Sequence, residues 1–238
     1  MNRTQLSWSL LLLVVSALLS CNERKERAVA PNFKISIFLE GIEDNSKIYL
    51  KKRDGMFYLA IDSTLVQRQS AQFEGTIQNA EIFGIFVDGI ATGIFPIIEE
   101  GTIQINGSIK ALESVKITGT PSNDQLSSYK AEILNITNSI NDQFFDLQIA
   151  RAENNQAQLN LLHQEMEKII DKKNKYSIDF IRRHKESIAS YLVWYALEQS
   201  DQVNKDTLAV LYKELSSQVR NNAMSKIMSE EIKMLDSL

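Results

Sequence analysis

The sequence has 238 residues, of which 44% are hydrophobic and 24% charged, with 26 basic against 30 acidic side chains and a formal net charge of −4. Because affinity for nucleic acid comes mainly from basic contacts to phosphate, this charge balance argues against a nucleic-acid-binding protein. The single cysteine, Cys21, excludes an internal disulfide and a site built from several thiolates, and the length suits one large domain or two small ones.

Residues 1–20 predict an export signal. Arg3 precedes an apolar run that is short for a membrane span, and the small Ser20 comes directly before Cys21. The segment Leu18–Cys21 resembles the lipobox of bacterial lipoproteins, in which the signal is cleaved before the cysteine and the cysteine is acylated. We therefore expect cleavage between Ser20 and Cys21 and lipidation of Cys21, palmitate included. The alternative is a free thiol after an uncleaved or conventionally cleaved signal.

A lipidated Cys21 would tether the protein to a membrane without spanning it. Acyl chains contribute about 0.8 kcal/mol per buried methylene, and two or more chains anchor stably where one does not. We expect attachment in the cell envelope, at the outer membrane as is usual for this class, although Asn22 gives no clear sorting instruction. Residues 21–32 are expected to form a flexible tether, because the charged stretch after Cys21 has no apolar residue before Ala28.

Residues 33–120 have the alternating pattern of β-strands. Phe33–Leu39 alternates apolar and polar side chains, Asp54 and Gly55 predict a hairpin turn, and the very apolar segment Ile82–Ile98 is interrupted by glycines. Seven or eight short strands at this spacing predict an antiparallel β-sandwich or barrel.

Residues 121–238 have helical periodicity. Pro121 lies just inside the expected start of the first helix, and no Gly or Pro occurs between Ser122 and Leu238. We therefore expect a helical hairpin or bundle after the β region, and an α+β fold for the whole chain. The first apolar stripe consists of Leu126, Tyr129, Ile133, Ile136, Ile140, Phe144 and Leu147.

Several short segments together resemble an N-terminal domain of unknown function, with its helical segment, that precedes the thioredoxin-like domain of TlpA/ResA-type envelope lipoproteins. The segments are Lys47–Leu50, Ile61–Ser63, Phe73–Gly75, Glu99–Ile105, Ile117–Asn123, Phe180–Ser187 and Leu211–Leu215.

This resemblance implies an envelope lipoprotein, but it assigns no catalytic residue to this sequence. The thioredoxin-like domain of such proteins works through a Cys-x-x-Cys pair, and no such pair occurs here. We therefore expect a chain that lacks the thioredoxin domain and its thiol–disulfide exchange.

Few residues are suited to catalysis or metal binding. His163 and His184 are the two histidines, and a metal site normally needs three or four converging ligands. Asp62 and Ser63 fall in a predicted strand pair, where such side chains usually bond to the backbone. The sequence therefore predicts no catalytic residue, no metal site and no cofactor.

Tyr191, Trp194 and Tyr195 gather on one predicted helix. Outward-facing aromatic rings can stack on a sugar or anchor a partner protein, so these three are the predicted partner or ligand contacts, with packing in the core as the alternative. The same two alternatives apply to Phe83, Phe86 and Phe95 of the β region.

Two functions follow from these observations. The first is a non-catalytic binding or scaffolding lipoprotein that contacts another envelope protein, and a separate thioredoxin-like protein is one such partner. The second is an enzyme or a receptor for a sugar, lipid or peptide that uses a cleft between the β and helical halves, where ligand sites commonly form. A broad exposed apolar surface on the helices would favour the first, and converging polar residues between the halves would favour the second.

Overall fold

The alternating pattern does form strands in the computed structural model, which describes residues 30–55, 57–138, 140–222 and 225–230. In the first strand every second side chain is buried, as the two-residue period of a strand requires. The strands of the described part are β1 (Phe33–Glu40), β2 (Lys47–Asp54), β3 (Phe57–Leu65), β4 (Ser70–Gly75), β5 (Glu81–Val87), β6 (Ile97–Ile98), β7 (Gly101–Ser108) and β8 (Lys116–Thr118).

The strands form two four-stranded sheets, with the orders β4-β1-β7-β8 and β3-β2-β5-β6. The sheets pack face to face, because Ile35 and Ile103 of the first sheet share one buried core with Leu50 and Ile85 of the second. Of the two architectures that the sequence left open, the structure is therefore a sandwich.

One strand pair differs from the expected antiparallel arrangement. β1 runs parallel to β7, with Ile35 opposite Ile103. Between β4 and β7 the chain crosses to the second sheet, forms β5 and β6 there, and then returns beside β1. A parallel pair needs a crossover connection of this kind, whereas an antiparallel pair can be joined by a tight turn.

The helical half is divided into several helices by polar caps. The side chains of Asn155 and Asn204 each accept a hydrogen bond from a backbone N–H in the first turn of the helix that follows, and Ser187 and Ser216 do the same. Residues 225–230 are also helical. The other helices are α1 (Pro121–Thr137), α2 (Ile140–Ala152), α3 (Gln156–Arg183), α4 (Ile188–Glu198), α5 (Lys205–Glu214) and α6 (Ser217–Arg220), with a short 3-10 turn at Leu112–Ser114.

The helices pack on the outer face of the second sheet. Ile97 of β6 is fully buried in a second core with Phe180, Ile188 and Leu211, and Ile82 of β5 packs against that core. Pro31–Leu238 accordingly forms one compact unit in which the order of layers is first sheet, second sheet, helices. The α+β fold expected from the sequence is confirmed, and the helices follow the last strand directly.

Polar side chains attach the start of α1 to the sheet. The buried Asn123 amide donates to the Ile97 carbonyl at 2.6 Å and accepts from the Ile97 N–H at 3.1 Å. The Glu99 carboxylate accepts from the Ser122 N–H at 2.6 Å and from the Ser122 hydroxyl at 2.7 Å. These residues join β6 to the first turn of α1, so that strand and helix are held in one geometry.

The predicted signal peptide, the cleavage site at Ser20 and Cys21, and most of the tether lie outside the described residues. The end of the predicted tether is corrected, because the Asn32 side chain donates to the Ile77 carbonyl and accepts from the Ile77 N–H, each at 2.8 Å. The fold therefore includes Asn32. Within the part that the structure describes, no helix combines the length and the apolar character needed to cross a membrane.

Candidate functional site

An aromatic wall of three rings lies on part of the outer face of the second sheet. The ring centroids of Tyr58, Phe86 and Phe95 lie 5.4 to 5.9 Å apart. Gly84 and Gly93 make room for the Phe86 ring, and a Cβ at Gly93 would lie 2.7 Å from it. Gly84 and Gly93 therefore allow the aromatic rings to lie side by side.

The opposite wall comes from α1 and α4. Leu126, Tyr129 and Lys130 lie on one side of α1 because they are three and four residues apart, and Leu192 and Ala196 lie one turn apart on α4. Between the two walls is an apolar cleft of about 420 Å³, here called the sheet–helix cleft. This volume lies within the range of about 300 to 1,000 Å³ that is usual for small-molecule sites.

Tyr129 fixes the helical wall in place. Its hydroxyl lies 2.8 Å from the Ser177 hydroxyl of α3, and its ring packs on Phe180 at 4.8 Å. Burial raises the pKa of Tyr129 above its ordinary value, so the phenol stays neutral at physiological pH. Tyr129 therefore contributes a neutral surface to the cleft, held by contacts with α3.

The charged side chains of the cleft are both cations. Arg53 of β2 and Lys130 of α1 line it, and no carboxylate is among the described residues that do so, although the chain as a whole is acidic. The Arg53 Nε donates to the Gly55 carbonyl at 3.0 Å, which holds the guanidinium near the turn between β2 and β3.

A second depression of about 460 Å³ adjoins the cleft. It shares Phe95, Leu126 and Lys130 with the cleft and is also lined by Glu113 and Lys116. The two depressions are therefore neighbours along α1 and share these three residues.

The second exposed surface is the outer face of α2, here defined as Phe144, Phe145 and Ile149. All three are exposed, and Phe145 is 68% exposed. The other side of the same helix is buried, because Leu147 and Ala150 pack on Leu159 and Leu162 of α3. A helix that is apolar on both sides is normally buried on both sides.

Strand β3 lies at the end of its sheet and is exposed along nearly its whole length. Phe57, Leu59 and Ile61 are large apolar side chains on it that face water. An edge strand of this kind readily pairs with another chain.

The structure decides between the two alternatives for the helical aromatic residues. Tyr191 is fully buried and Trp194 is 8% exposed, so both are core residues and are removed from the predicted surface contacts. The Tyr191 hydroxyl donates to the Ser225 carbonyl at 2.7 Å, and burial raises the pKa of Tyr191 to about 12. Tyr195 is half-buried and packs against the same core.

The three phenylalanines of the β region have different positions. Phe83 points into the sandwich core and is buried, Phe86 is half-buried in the aromatic wall, and Phe95 is exposed at the cleft. Only the last two therefore reach a surface, because successive strand residues point to opposite faces.

Among the residues that the structure describes, neither histidine lies in a cluster of metal ligands. His163 is exposed on α3, whereas the His184 ring packs on Phe180 with centroids 4.7 Å apart. Burial, and then the charge of Arg183, lower the pKa of His184. Across the described part of the chain, no group of three or more His, Cys, Asp or Glu side chains is arranged to hold a metal ion.

Asp62 and Ser63 lie exposed on β3, where the Asp62 carboxylate accepts a hydrogen bond from the Ser63 N–H at 2.7 Å. This is the local backbone contact that short polar side chains often make.

Sequence reasoning missed Arg53, Lys130 and Phe145. The first two are 77 positions apart and line one cleft only because α1 packs on the second sheet, so no local pattern identifies them. The sequence did indicate that one of two neighbouring phenylalanines is exposed. Because neighbouring residues on a helix point about 100° apart, Phe144 and Phe145 cannot both face α3.

One comparison with known protein families gave a match, and it covers the sandwich region. No curated protein and no solved structure gave a significant match to the chain. Residues 33–126, which comprise all eight described strands and the first six residues of α1, match the model of a domain of unknown function, DUF4369.

Proposed function

We propose that this protein is a membrane-anchored envelope lipoprotein with a non-catalytic binding or scaffolding role, and that it binds its partner through the outer face of α2. The observation that carries the proposal is the double-sided apolar character of α2, with Leu147 buried on one side and Phe145 exposed on the other. Exposed apolar surface of this kind is a common mark of a protein-binding site.

The partner in this proposal is another envelope protein. The first class to consider is a thioredoxin-like protein, because the sequence resembles domains that precede thioredoxin-like domains in TlpA/ResA-type lipoproteins. Redox chemistry would then belong to the partner, since the one cysteine of this chain is Cys21 and the proposal places a lipid on its sulfur.

Lipidation can be tested by metabolic labelling with radioactive palmitate. We expect Cys21→Ser to abolish the label, because the hydroxyl does not replace the thiol in the thioether, and we expect the labelled wild-type protein to fractionate with outer membranes. Ser20→Ala is the matched control and should keep the label, because alanine is also small. A labelled Cys21→Ser protein would contradict the anchor.

Partner binding can be tested by site-specific photo-crosslinking in intact cells. We expect p-benzoylphenylalanine at position 145 to give a discrete adduct with another protein, and Ile149→Asp to reduce its yield at least about tenfold. The reason is that an anchor in a desolvated interface typically contributes about 2 kcal/mol or more, and the new carboxylate would be buried without a partner charge.

The control for the crosslinking experiment is an exposed position on the neighbouring helix α3. Gln164 is exposed two positions after the buried Leu162 and therefore points away from α2. The crosslinker at position 164 should give no such adduct, and Gln164→Asp should leave the adduct from position 145 unchanged. Adducts from position 145 that contain only lipid, or only a second copy of this chain, would refute the proposed partner.

A further inference from the structure

We propose that the tip of the β2–β3 hairpin, here defined as Phe57 and Leu59, inserts into the surface of the bilayer that holds the lipid anchor. The contact rests on the proposed lipidation of Cys21 and adds a second attachment to it, at a different surface from the outer face of α2. Phe57 is 76% exposed and Leu59 is 54% exposed. Their side chains project from the same side of β3, because they are two residues apart on one strand.

The hairpin tip lies at the end of the sandwich where β1 begins. Phe33, the first residue of β1, pairs with Gly101, the first residue of β7. Shortly before Gly101, Ile98 pairs with Glu81, the first residue of β5. Because β2 runs antiparallel to β5, the last residues of β2 and the hairpin that follows them lie at the Glu81 end. The start of β1 and the hairpin tip therefore share one end of the sandwich.

The two sheets also place β1 across the sandwich from β2. β4 is the edge strand beside β1, β3 is the edge strand beside β2, and the short turn 66–69 joins β3 to β4. A chain that leaves the start of β1 therefore starts close to the hairpin. Ten residues lead from Cys21 to Pro31, and an extended chain of that length spans at most about 36 Å. A lipid on Cys21 thus keeps this end of the sandwich within reach of the bilayer.

The size and chemistry of the tip suit the boundary between head groups and acyl chains. Two residues along a strand span about 7 Å, and the apolar side chains of peripheral proteins are buried about 5 to 10 Å into this boundary. Asp54 and Glu74 are exposed carboxylates at the same end of the sandwich. The attraction is therefore apolar and not electrostatic, so a bilayer of phosphatidylcholine, which has no net charge, is the appropriate probe.

The backbone of β3 is less suited to a protein partner than to a bilayer. The register of β3 with β2 shifts between Leu50 and Lys51, as at a β-bulge. Bulges protect edge strands from pairing with another chain, because they twist the edge away. A bilayer covers apolar side chains without requiring a ladder of backbone hydrogen bonds, so the irregular edge does not hinder it.

The test measures the depth of one fluorophore in the full lipidated protein. Once a lipid occupies the Cys21 sulfur, a cysteine introduced by Leu59→Cys is the single free thiol and takes the dye NBD. The protein is placed in phosphatidylcholine nanodiscs that contain some phosphatidylcholine with a nitroxide near the glycerol end of its acyl chain. We expect this lipid to quench NBD at position 59, and we expect aqueous iodide to lose access to it.

Leu65→Cys is the matched control position. Leu65 is also a leucine of β3 and is 51% exposed, but it lies at the other end of the strand, about 20 Å from Leu59. NBD at position 65 should be quenched by iodide and not by the nitroxide lipid.

Two serine variants test the side chain that inserts. Phe57→Ser should lower the ratio of inserted to free hairpin, reported at position 59, by about tenfold, the factor expected for one buried aromatic side chain. Phe38→Ser replaces an exposed phenylalanine near the far end of β1 and should leave this ratio unchanged. Both side chains are at the surface, so neither change removes a core contact.

Three results would overturn the proposal. Equal quenching by the nitroxide lipid at positions 59 and 65, or none at 59, would show that the tip does not insert. Protection of position 59 from iodide without quenching by the lipid would show that another chain, a second copy included, covers the hairpin. Uptake of NBD by the wild-type protein would reveal a free Cys21 thiol and refute the anchor together with the insertion. Crosslinking from position 145 does not involve the hairpin, so a failure at position 59 alone leaves the proposed anchor and partner role standing.

Discussion

Replacing Trp194 by alanine is expected to lower the free energy of unfolding by about 3 to 5 kcal/mol, the usual cost of removing a large buried aromatic side chain. The indole ring packs between Tyr191 and Tyr212, at centroid distances of 5.5 and 4.9 Å, and its Nε1 donates to the Leu208 carbonyl at 2.8 Å. The change would leave a cavity and a buried carbonyl without its donor. Urea unfolding followed by far-ultraviolet circular dichroism measures the loss.

Trp194→Phe is the control that distinguishes a Trp194 side chain packed in the core from one exposed at the surface. It keeps one ring in the core and should cost about 1 to 3 kcal/mol, because it loses the indole hydrogen bond and part of the volume. If Trp194 were a surface contact, alanine would instead weaken partner capture and change stability by less than about 0.5 kcal/mol. That outcome would contradict the buried position.

Replacing Asn123 by alanine is expected to cost about 2 to 4 kcal/mol. The side chain is 3% exposed and satisfies both the N–H and the carbonyl of Ile97. Each of these buried backbone groups would lose its partner, at about 1 to 3 kcal/mol for an unsatisfied group. Hydrogen exchange provides the local measurement, because the Ile97 amide should exchange faster in the variant.

Asn123→Asp tests the role of the amide specifically. Aspartate can accept from the Ile97 N–H, but it cannot donate to the carbonyl and it buries a charge, so it should not restore stability. Asn160→Ala is the matched control on the exposed face of α3 and should change stability by less than about 0.5 kcal/mol. An Asn123→Ala protein as stable as the wild type would refute the proposed connection between β6 and α1.

The strands could be predicted because their signal is local. Phe33, Ile35, Ile37 and Leu39 alternate with polar residues, and all four point into the sandwich core. The parallel pairing of β1 with β7 could not be predicted in this way, because alternation indicates which side of a strand is buried but not which strand lies beside it.

The helix boundaries were harder to predict than the helical content. Without Gly or Pro, the periodicity after Ser122 suggested long uninterrupted helices, yet Asn155, Ser187 and Asn204 each begin a new helix. Polar capping residues are also common on exposed helix faces, so their presence in a sequence does not by itself mark a boundary.

Part of the candidate site could likewise be predicted from the sequence, and part could not. Leu126 and Tyr129 belong to the apolar stripe that the sequence predicts on the first helix, and both line the sheet–helix cleft. The position of Arg53 opposite Lys130 depends on how α1 packs against the second sheet. Likewise, the burial of Tyr191 and Trp194 depends on contacts with residues 34 and 14 positions later in the chain, Ser225 and Leu208 of α5 respectively.

The sequence by itself determined the acidic charge balance, the single cysteine, and the order of a strand-rich half before a helical half, because composition and periodicity are local properties. Only the tertiary structure decided which apolar residues remain exposed. It buries Trp194 and leaves Phe145 and the sheet–helix cleft open, because burial depends on the elements that pack against a residue and not on the residue alone.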